Sequence, residues 1–158
     1  MKKFLTIFPL VILLCFTFSC QKQAEEAKPT VDIEADVEAI KSLSDEIMKA
    51  YNEGDLEVLM AIVAKDVVFM PPGKPALIGK EAIRNWHDFD KISFDVNITV
   101  EEVQVLGDWA FMRDIWIGTV TQKEGGEKFE LNNKSLILLR RQTDGTWKLS
   151  HTIFNSNT

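Results

Sequence analysis

The apolar residues of this chain change their spacing once, close to Lys91, and this change limits the fold more than any other feature. Before Lys91 they recur every three or four positions, which is the period of an amphipathic helix. After it they alternate with polar residues, which is the period of a strand with one buried face. The sequence therefore predicts an α+β fold, in which three N-terminal helices pack on a bent antiparallel sheet.

The helical half divides into three segments. The first begins at Asp32 and ends where Gly54 can adopt the left-handed conformation of a helix C-terminus. Asp55 is placed to cap a second helix, since its short carboxylate can accept the free N–H groups of the first turn. A short strand is predicted at 67–70 and a third helix at 80–88.

The strand half divides at turn residues. One strand runs from Ile92 to the turn after Leu106, and others are predicted at 109–122, 128–142 and 147–155. Gly-Gly at 125–126 and Asp-Gly at 144–145 are typical of hairpin turns. The alternation slips by one position at Glu101 and Glu102, which predicts a β-bulge there and a bend in the sheet.

The first twenty residues are typical of an export signal. Two lysines precede an apolar run at 4–18 that is shorter than a membrane-spanning helix. Ser19-Cys20 then resembles a bacterial lipoprotein signal, although Thr17 stands where leucine is usual. We predict a signal peptide at 1–19, a lipidated Cys20 with a tether at 20–31, and one domain at 32–158. The chain would be exported and held on a bacterial membrane by its lipid alone. The alternative is an ordinary secretory signal with an incidental cysteine.

Composition excludes several classes of function. The net charge of −6 disfavours nucleic-acid binding, which needs a basic surface to displace counterions. Both cysteines lie in the first twenty residues, and the only histidines, His87 and His151, are far apart in sequence. We therefore expect neither a metal site nor a cofactor.

Several motifs resemble the nuclear-transport-factor-2-like superfamily and its SnoaL-like branch. The resemblance spans about 33–157 and is carried by Tyr51-Asn52-Glu53-Gly54-Asp55, Gly79-Lys80-Glu81-Ala82-Ile83-Arg84, Gly107-Asp108-Trp109-Ala110 and Asp144-Gly145-Thr146-Trp147-Lys148-Leu149. It implies a cystatin-like cone, in which a strongly curved sheet surrounds a pocket that the helices close. Members of the superfamily include isomerases, cyclases and dehydratases, so the fold alone does not choose the chemistry.

The resemblance also implies where catalytic residues would lie. Ketosteroid isomerases place their base, their tyrosine and their second acid at positions that here hold Met70, Ile47 and Lys134 or Ser135. A methionine cannot move a proton, so isomerase chemistry of that type is rejected. Relatives in the SnoaL-like branch often carry glutamate at Met112, lysine at Lys134 and aspartate at Thr152, and only the lysine matches.

A pocket is nevertheless implied by the resemblance, and strand parity places Met112, Asp114 and Trp116 together on one face of the strand at 109–122. Its expected lining is Met70, Trp86, Met112, Asp114, Trp116, Lys134, Thr152 and Phe154. Asp114 shares a face with apolar residues and needs a partner there, for which Lys134 on the next strand is the candidate. The alternatives are that the apolar members are ordinary core and that both charges are solvated at a sheet margin.

Three functions remain open. The first is binding of a small, largely apolar molecule in the cone. The second is an isomerase, dehydratase or hydrolase that uses Asp114 or His151. The third is a protein-interaction domain whose cone is filled by its own side chains. A homodimer is also expected, because Phe111, Ile115 and Ile117 put apolar side chains on the outer face of the sheet.

Overall fold

The computed structural model describes residues 32–157, and the predicted signal peptide, Cys20 and the tether lie outside this range. The described part has an α+β fold of three helices and a six-stranded sheet, as predicted. The helices are α1 (Ile33–Glu53), α2 (Leu56–Ile62) and α3 (Lys80–Trp86). The strands are β1 (Val63–Met70), β2 (Leu77–Ile78), β3 (Ile92–Leu106), β4 (Trp109–Gln122), β5 (Lys128–Arg141) and β6 (Trp147–Ser156).

The junction between α1 and α2 follows the capping residues that the sequence indicates. The Asp32 side chain accepts the N–H of Ala35 at 3.1 Å, and the Asp55 side chain accepts that of Val58 at 3.0 Å. Gly54 has a φ of 69° and its N–H is donated to helix carbonyls, so it ends α1 in the left-handed conformation. The predictions for both helix starts and for this C-terminus are confirmed.

The strands follow the order β2-β1-β6-β5-β4-β3. All neighbours are antiparallel except β1 and β6, which run parallel. The short strand β2 was not predicted, and β1 begins at Val63, four residues before the predicted start. The exposed charges of Lys65 and Asp66 separate buried Val63 from buried Val67, and this hides the strand in the sequence pattern.

The predicted bulge is present between β3 and β4. Val100 pairs with Asp114 and Glu102 pairs with Arg113, so that Glu101 has no partner in the register. An extra residue of this kind bends its strand and increases the local twist. Close approach of the same two strands also depends on Gly118, because a Cβ atom there would lie 2.0 Å from the carbonyl oxygen of Asp95.

The core lies between α1 and the inner face of β4, β5 and β6. Ile40 and Ile47 of α1 are buried against fully enclosed Met112, Ile137 and Leu139 of the sheet. No helix within residues 32–157 combines the length and the apolar character needed to span a membrane.

The start of α1 is fixed to the far end of the sheet by a buried carboxylate. Asp36 binds the Arg141 guanidinium with both oxygens and also accepts the indole N–H of Trp147 at 3.1 Å. The bidentate bond from Arg141 holds the pKa of Asp36 below its ordinary value. A cavity lies on the inner face beside the C-terminal half of α1, where Ile47 and Tyr51 line it.

Candidate functional site

A cavity of about 150 Å³ lies between the helices and the inner face of the sheet. Its wall is dominated by aromatic rings, which are Tyr51, Phe69, Trp86, His87, Phe94, Trp116 and Phe154. A dry apolar cavity of roughly this size holds one benzene molecule. The space therefore suits a single-ring compound and is too small for a four-ring steroid.

Four of the predicted pocket residues line this cavity, namely Trp86, Trp116, Thr152 and Phe154. Phe69 and Phe154 face each other with ring centroids 5.4 Å apart. Trp86 is 40% exposed, so this part of the wall reaches the protein surface. The three large rings of Trp86, Trp116 and Phe154 thus surround an open space and do not fill it.

Met70 and Met112 are not on the cavity wall. Met70 pairs with Ile153 of β6, which is exposed on the outer face, whereas Phe69 pairs with Thr152 and points inward. The strand was thus assigned the wrong inward residue, and a shift of one position exchanges the two faces of a strand. Met112 does face inward, but it is completely enclosed in the core.

Asp114 lies behind the cavity wall and is fully buried. Its Oδ1 accepts the Ser135 hydroxyl from β5 and the indole N–H of Trp116 at 3.1 Å. Its Oδ2 is buried and has no hydrogen-bond partner. Burial raises the pKa of Asp114 to about 6, although the bonds from Ser135 and Trp116 act in the opposite direction.

The predicted pair between Asp114 and Lys134 is wrong. Asp114 lies directly opposite Ser135, and Lys134 lies opposite Ile115. Lys134 is therefore exposed on the outer face, beside Leu136 and Leu138, and does not line the cavity. The register of the hairpin puts Ser135 on the face of Asp114, and its neighbour Lys134 therefore lies on the other side of the sheet. The solvated alternative holds for Lys134 but not for Asp114.

A second polar pair on the cavity wall, Tyr51 and His87, was missed in the sequence. The Tyr51 hydroxyl lies 2.6 Å from Nε2 of His87, and Nδ1 of His87 lies 2.9 Å from the carbonyl oxygen of Ile83. Burial lowers the pKa of His87 and raises that of Tyr51, so both groups are neutral at neutral pH. Tyr51 is the only tyrosine of the chain, and its place on the apolar face of α1 was the available signal, since a buried hydroxyl needs a partner.

His151 is not at the cavity. It pairs with Leu138, whose side chain is on the outer face of the sheet, and its Nδ1 lies 3.0 Å from the Ser150 hydroxyl. The expectation that His151 could act on a molecule in the cone is therefore wrong. The reason is a register shift between Leu138 and Leu139, which places His151 and Leu149 on opposite faces.

The outer face of the sheet exposes large apolar side chains. Ile117 is 58% exposed, and the exposed residues Leu136, Leu138 and Ile153 extend the same surface across β5 and β6. Arg113, on the same face, is neutralised by Glu101 at 3.0 Å and by Glu102 at 3.5 Å. Exposed apolar patches that extend over several strands are typical of interaction surfaces.

Metal-ligating side chains are dispersed in the described part of the chain. Between residues 32 and 157, no three His, Cys, Asp or Glu side chains converge on a point where an ion could bind. The polar groups of the cavity wall are thus the hydroxyls of Tyr51, Ser135 and Thr152, the amide of Asn133 and the imidazole of His87. The carboxylate of Asp114 lies behind Ser135.

The sequence matches the SnoaL-like domain family over residues 45–149, and the chain belongs to this family. No curated protein matches it in sequence. The family assignment agrees with the resemblance noted in the sequence, and it covers the end of α1, most of the cavity wall and most of the sheet.

Solved structures support the same fold. A ketosteroid isomerase-like protein from Erwinia carotovora atroseptica is 28% identical, with a TM-score of 0.72 over 78% of this chain and 97% of that one. A nuclear transport factor 2-like superfamily protein from Salmonella enterica serovar Typhimurium is 12% identical, with a TM-score of 0.70 over 79% and 93%. A domain with a cystatin-like fold from Nostoc punctiforme is 19% identical, with a TM-score of 0.64 over 78% of each chain.

Proposed function

We propose that this domain binds a small, largely apolar molecule of about one ring in the cavity between its helices and its sheet. The observation that carries the proposal is the open space of about 150 Å³ behind Trp86 and Phe154. Natural cores are packed to a density that leaves few voids larger than a water molecule, so a cavity of this size in the aromatic end of the cone favours a ligand. It also counts against the filled cone of a pure interaction domain.

Binding of toluene to the full chain, measured by calorimetry, tests the proposal. We expect saturable binding with one site, because toluene fits the volume and buries apolar surface. Thr152→Phe should abolish it by filling the cavity from the wall. Thr99→Phe is the matched control, since Thr99 is exposed on β3 and away from the cavity, and it should leave binding intact. Absence of saturable binding in the unmodified chain would overturn the proposal.

An enzyme that uses Asp114 is the second candidate, and its raised pKa is the observation that favours it. Acids with a pKa near 6 suit proton transfer at neutral pH, which an isomerase, dehydratase or hydrolase would need. The solved relative named as ketosteroid isomerase-like is consistent with such chemistry. We place it second because Asp114 is screened from the cavity by Ser135 and Trp116, which leaves no direct path to a substrate.

The proposal includes export and attachment to a bacterial membrane through a lipid on Cys20. Its support is the order of residues 1–26 in the sequence, with two lysines, an apolar run, Ser19-Cys20 and then a polar segment. Acyl chains on one cysteine anchor a protein stably when more than one is present. The tether at 20–31 would then hold the binding domain near the membrane surface.

We further propose that two copies associate through the outer face of the sheet. Support comes from the apolar surface formed by Ile117, Leu136, Leu138 and Ile153. Covering such side chains removes apolar area from water, at about 25 cal/mol for each Å². If two copies pack with their outer faces together, related by a two-fold axis, both cavities stay free, because each cavity lies on the inner face of its sheet.

A further inference from the structure

Asp114 is a buried negative charge that lacks a cation. Within residues 32–157 no Lys or Arg is close enough to shift the pKa of Asp114, and none lines the adjacent cavity. Its Oδ2 has no hydrogen-bond partner either. Isolated buried carboxylates are costly, and proteins retain them where a charge or a ligand compensates them. The missing compensation lies next to the cavity, because both groups that bind Oδ1, Ser135 and Trp116, are part of its wall.

The polar hydrogens of the residues nearest the aromatic centre are already engaged in hydrogen bonds within the protein. Ser135 and Trp116 donate to Asp114. Nδ1 of His87 faces a carbonyl oxygen, so it carries the ring proton, and the neutral ring accepts the Tyr51 hydroxyl proton at Nε2. What Ser135 and Tyr51 still offer is therefore oxygen lone pairs. A ligand must bring the donors here, whereas Asn133 and Thr152 elsewhere on the wall suit donors and acceptors alike.

The aromatic wall also favours positive charge. The ring centroids of Trp116 and Tyr51 lie 4.9 Å apart in an edge-to-face arrangement. The ring centroid of Phe69 lies 6.0 Å from that of Trp86 and 5.4 Å from that of Phe154. The faces of such rings carry partial negative charge and attract ammonium groups, most strongly when water is excluded. The free carboxylate, the lone pairs and the rings therefore all point to the same class of ligand.

We propose that the ligand is a protonated amine on an apolar body of about one ring. Its ammonium donates to Ser135 Oγ, beside Asp114, and its ring packs among Phe69, Trp86 and Phe154. The negative charge of Asp114 acts through the wall, where the low dielectric strengthens the attraction. This inference rests on the proposed function, because it needs the cavity to admit a ligand at all.

Three probes of similar shape separate charge from size: benzylamine, which is cationic at about pH 8, its uncharged counterpart benzyl alcohol, and toluene. We expect the full chain to bind benzylamine about tenfold more tightly than benzyl alcohol. Asp114→Asn keeps the shape and an acceptor for Ser135 but removes the charge, so it should erase that difference while toluene still binds. Asp45→Asn is the control with the same change of net charge at an exposed position of α1, and it should change nothing.

Measurement on the unmodified chain at several pH values gives a second test, which does not depend on how the variants fold. Val100 pairs with Asp114 from β3, Ser135 faces it from β5, and Tyr51 of α1 and His87 next to α3 share its cavity. Burial lowers the pKa of His87 and raises the pKa of Asp114 to about 6, so Asp114 is the group whose ionisation is moved into this pH range. Affinity for benzylamine should fall about tenfold between about pH 8 and pH 5, while affinity for toluene stays constant.

The outcomes distinguish the two proposals. Toluene binding with benzylamine no tighter than benzyl alcohol would overturn the cationic ligand and leave the apolar site intact. A preference for benzylamine that survives in Asp114→Asn and does not change with pH would also overturn it. If none of the three probes binds, the proposed function itself is wrong.

Discussion

Ser135 stands directly opposite Asp114 on the neighbouring strand and donates its hydroxyl proton to the carboxylate. The two residues meet because β4 and β5 pair with Asp114 level with Ser135, one position away from Lys134. A small neutral donor therefore occupies the place where a buried cation was expected, and the carboxylate stays unneutralised beside the cavity.

Ser135→Ala should destabilise the domain by about 1–3 kcal/mol, because the buried Asp114 carboxylate loses a donor that water cannot replace. The pKa of Asp114 should rise further in this variant, since the hydrogen bond from Ser135 lowers it. Lys134→Met is the neighbouring control and should change the free energy of unfolding by less than about 0.5 kcal/mol, because Lys134 is exposed. Chemical denaturation measures both. Equal effects of the two substitutions would contradict this placement of the residues.

The stability of the Asp114→Asn variant should depend on pH differently from that of the unmodified domain. The pKa of Asp114 rises from 3.8 to about 6 on folding, so the folded state holds the proton more tightly than the unfolded chain. Ionisation of Asp114 therefore costs stability as pH increases through this window, and the cost is fully present above about pH 6. Between about pH 4 and pH 7.5 the variant should gain about 2 kcal/mol relative to the unmodified domain. A difference that stays constant with pH would show that Asp114 is not buried.

Cys20 should carry the lipid. Mass spectrometry of the mature protein is expected to find an acylated N-terminal cysteine, and Cys20→Ala should release the protein from the membrane fraction. Cys15→Ala is the matched control, because Cys15 lies in the predicted signal peptide and its replacement should leave the protein in the membrane. A mature protein with an unmodified Cys20 would refute the assignment.

The outer face of the sheet should hold two copies together. The full chain with Cys20→Ala, which lacks the lipid, is expected to have the mass of two protomers at micromolar concentration in light scattering. Adding Leu136→Glu should return it to one protomer, because a charge is placed in the centre of the apolar surface. Ile33→Glu, at an exposed apolar position of α1, is the control and should leave the dimer intact. A protomer mass without any substitution on the sheet would count against the interface.

The residues of the cavity wall were only partly predictable. Trp116, Thr152 and Phe154 follow from strand parity, because side chains alternate between the faces of a strand. Tyr51 and His87 come from two helical segments that are distant in sequence, and no local pattern indicates that their side chains meet. The predictions for Met70 and Lys134 are wrong because parity is correct only when the register is known to one residue. The register shift between Leu138 and Leu139 likewise decides that His151, a catalytic candidate, lies away from the cavity.

The sequence by itself determined the order of the helices and of the long strands, the cap at Asp55 and the bulge at Glu101, because each depends on residues close together in the chain. The tertiary structure alone decided which side chains meet across strands. The hairpin fixes its register by the geometry of its turn and by packing on α1, and a shift of one residue reverses every face. For this reason the sequence could predict a carboxylate in need of a partner, whereas only the fold could pair Asp114 with Ser135 and leave its charge behind the wall of an aromatic cavity.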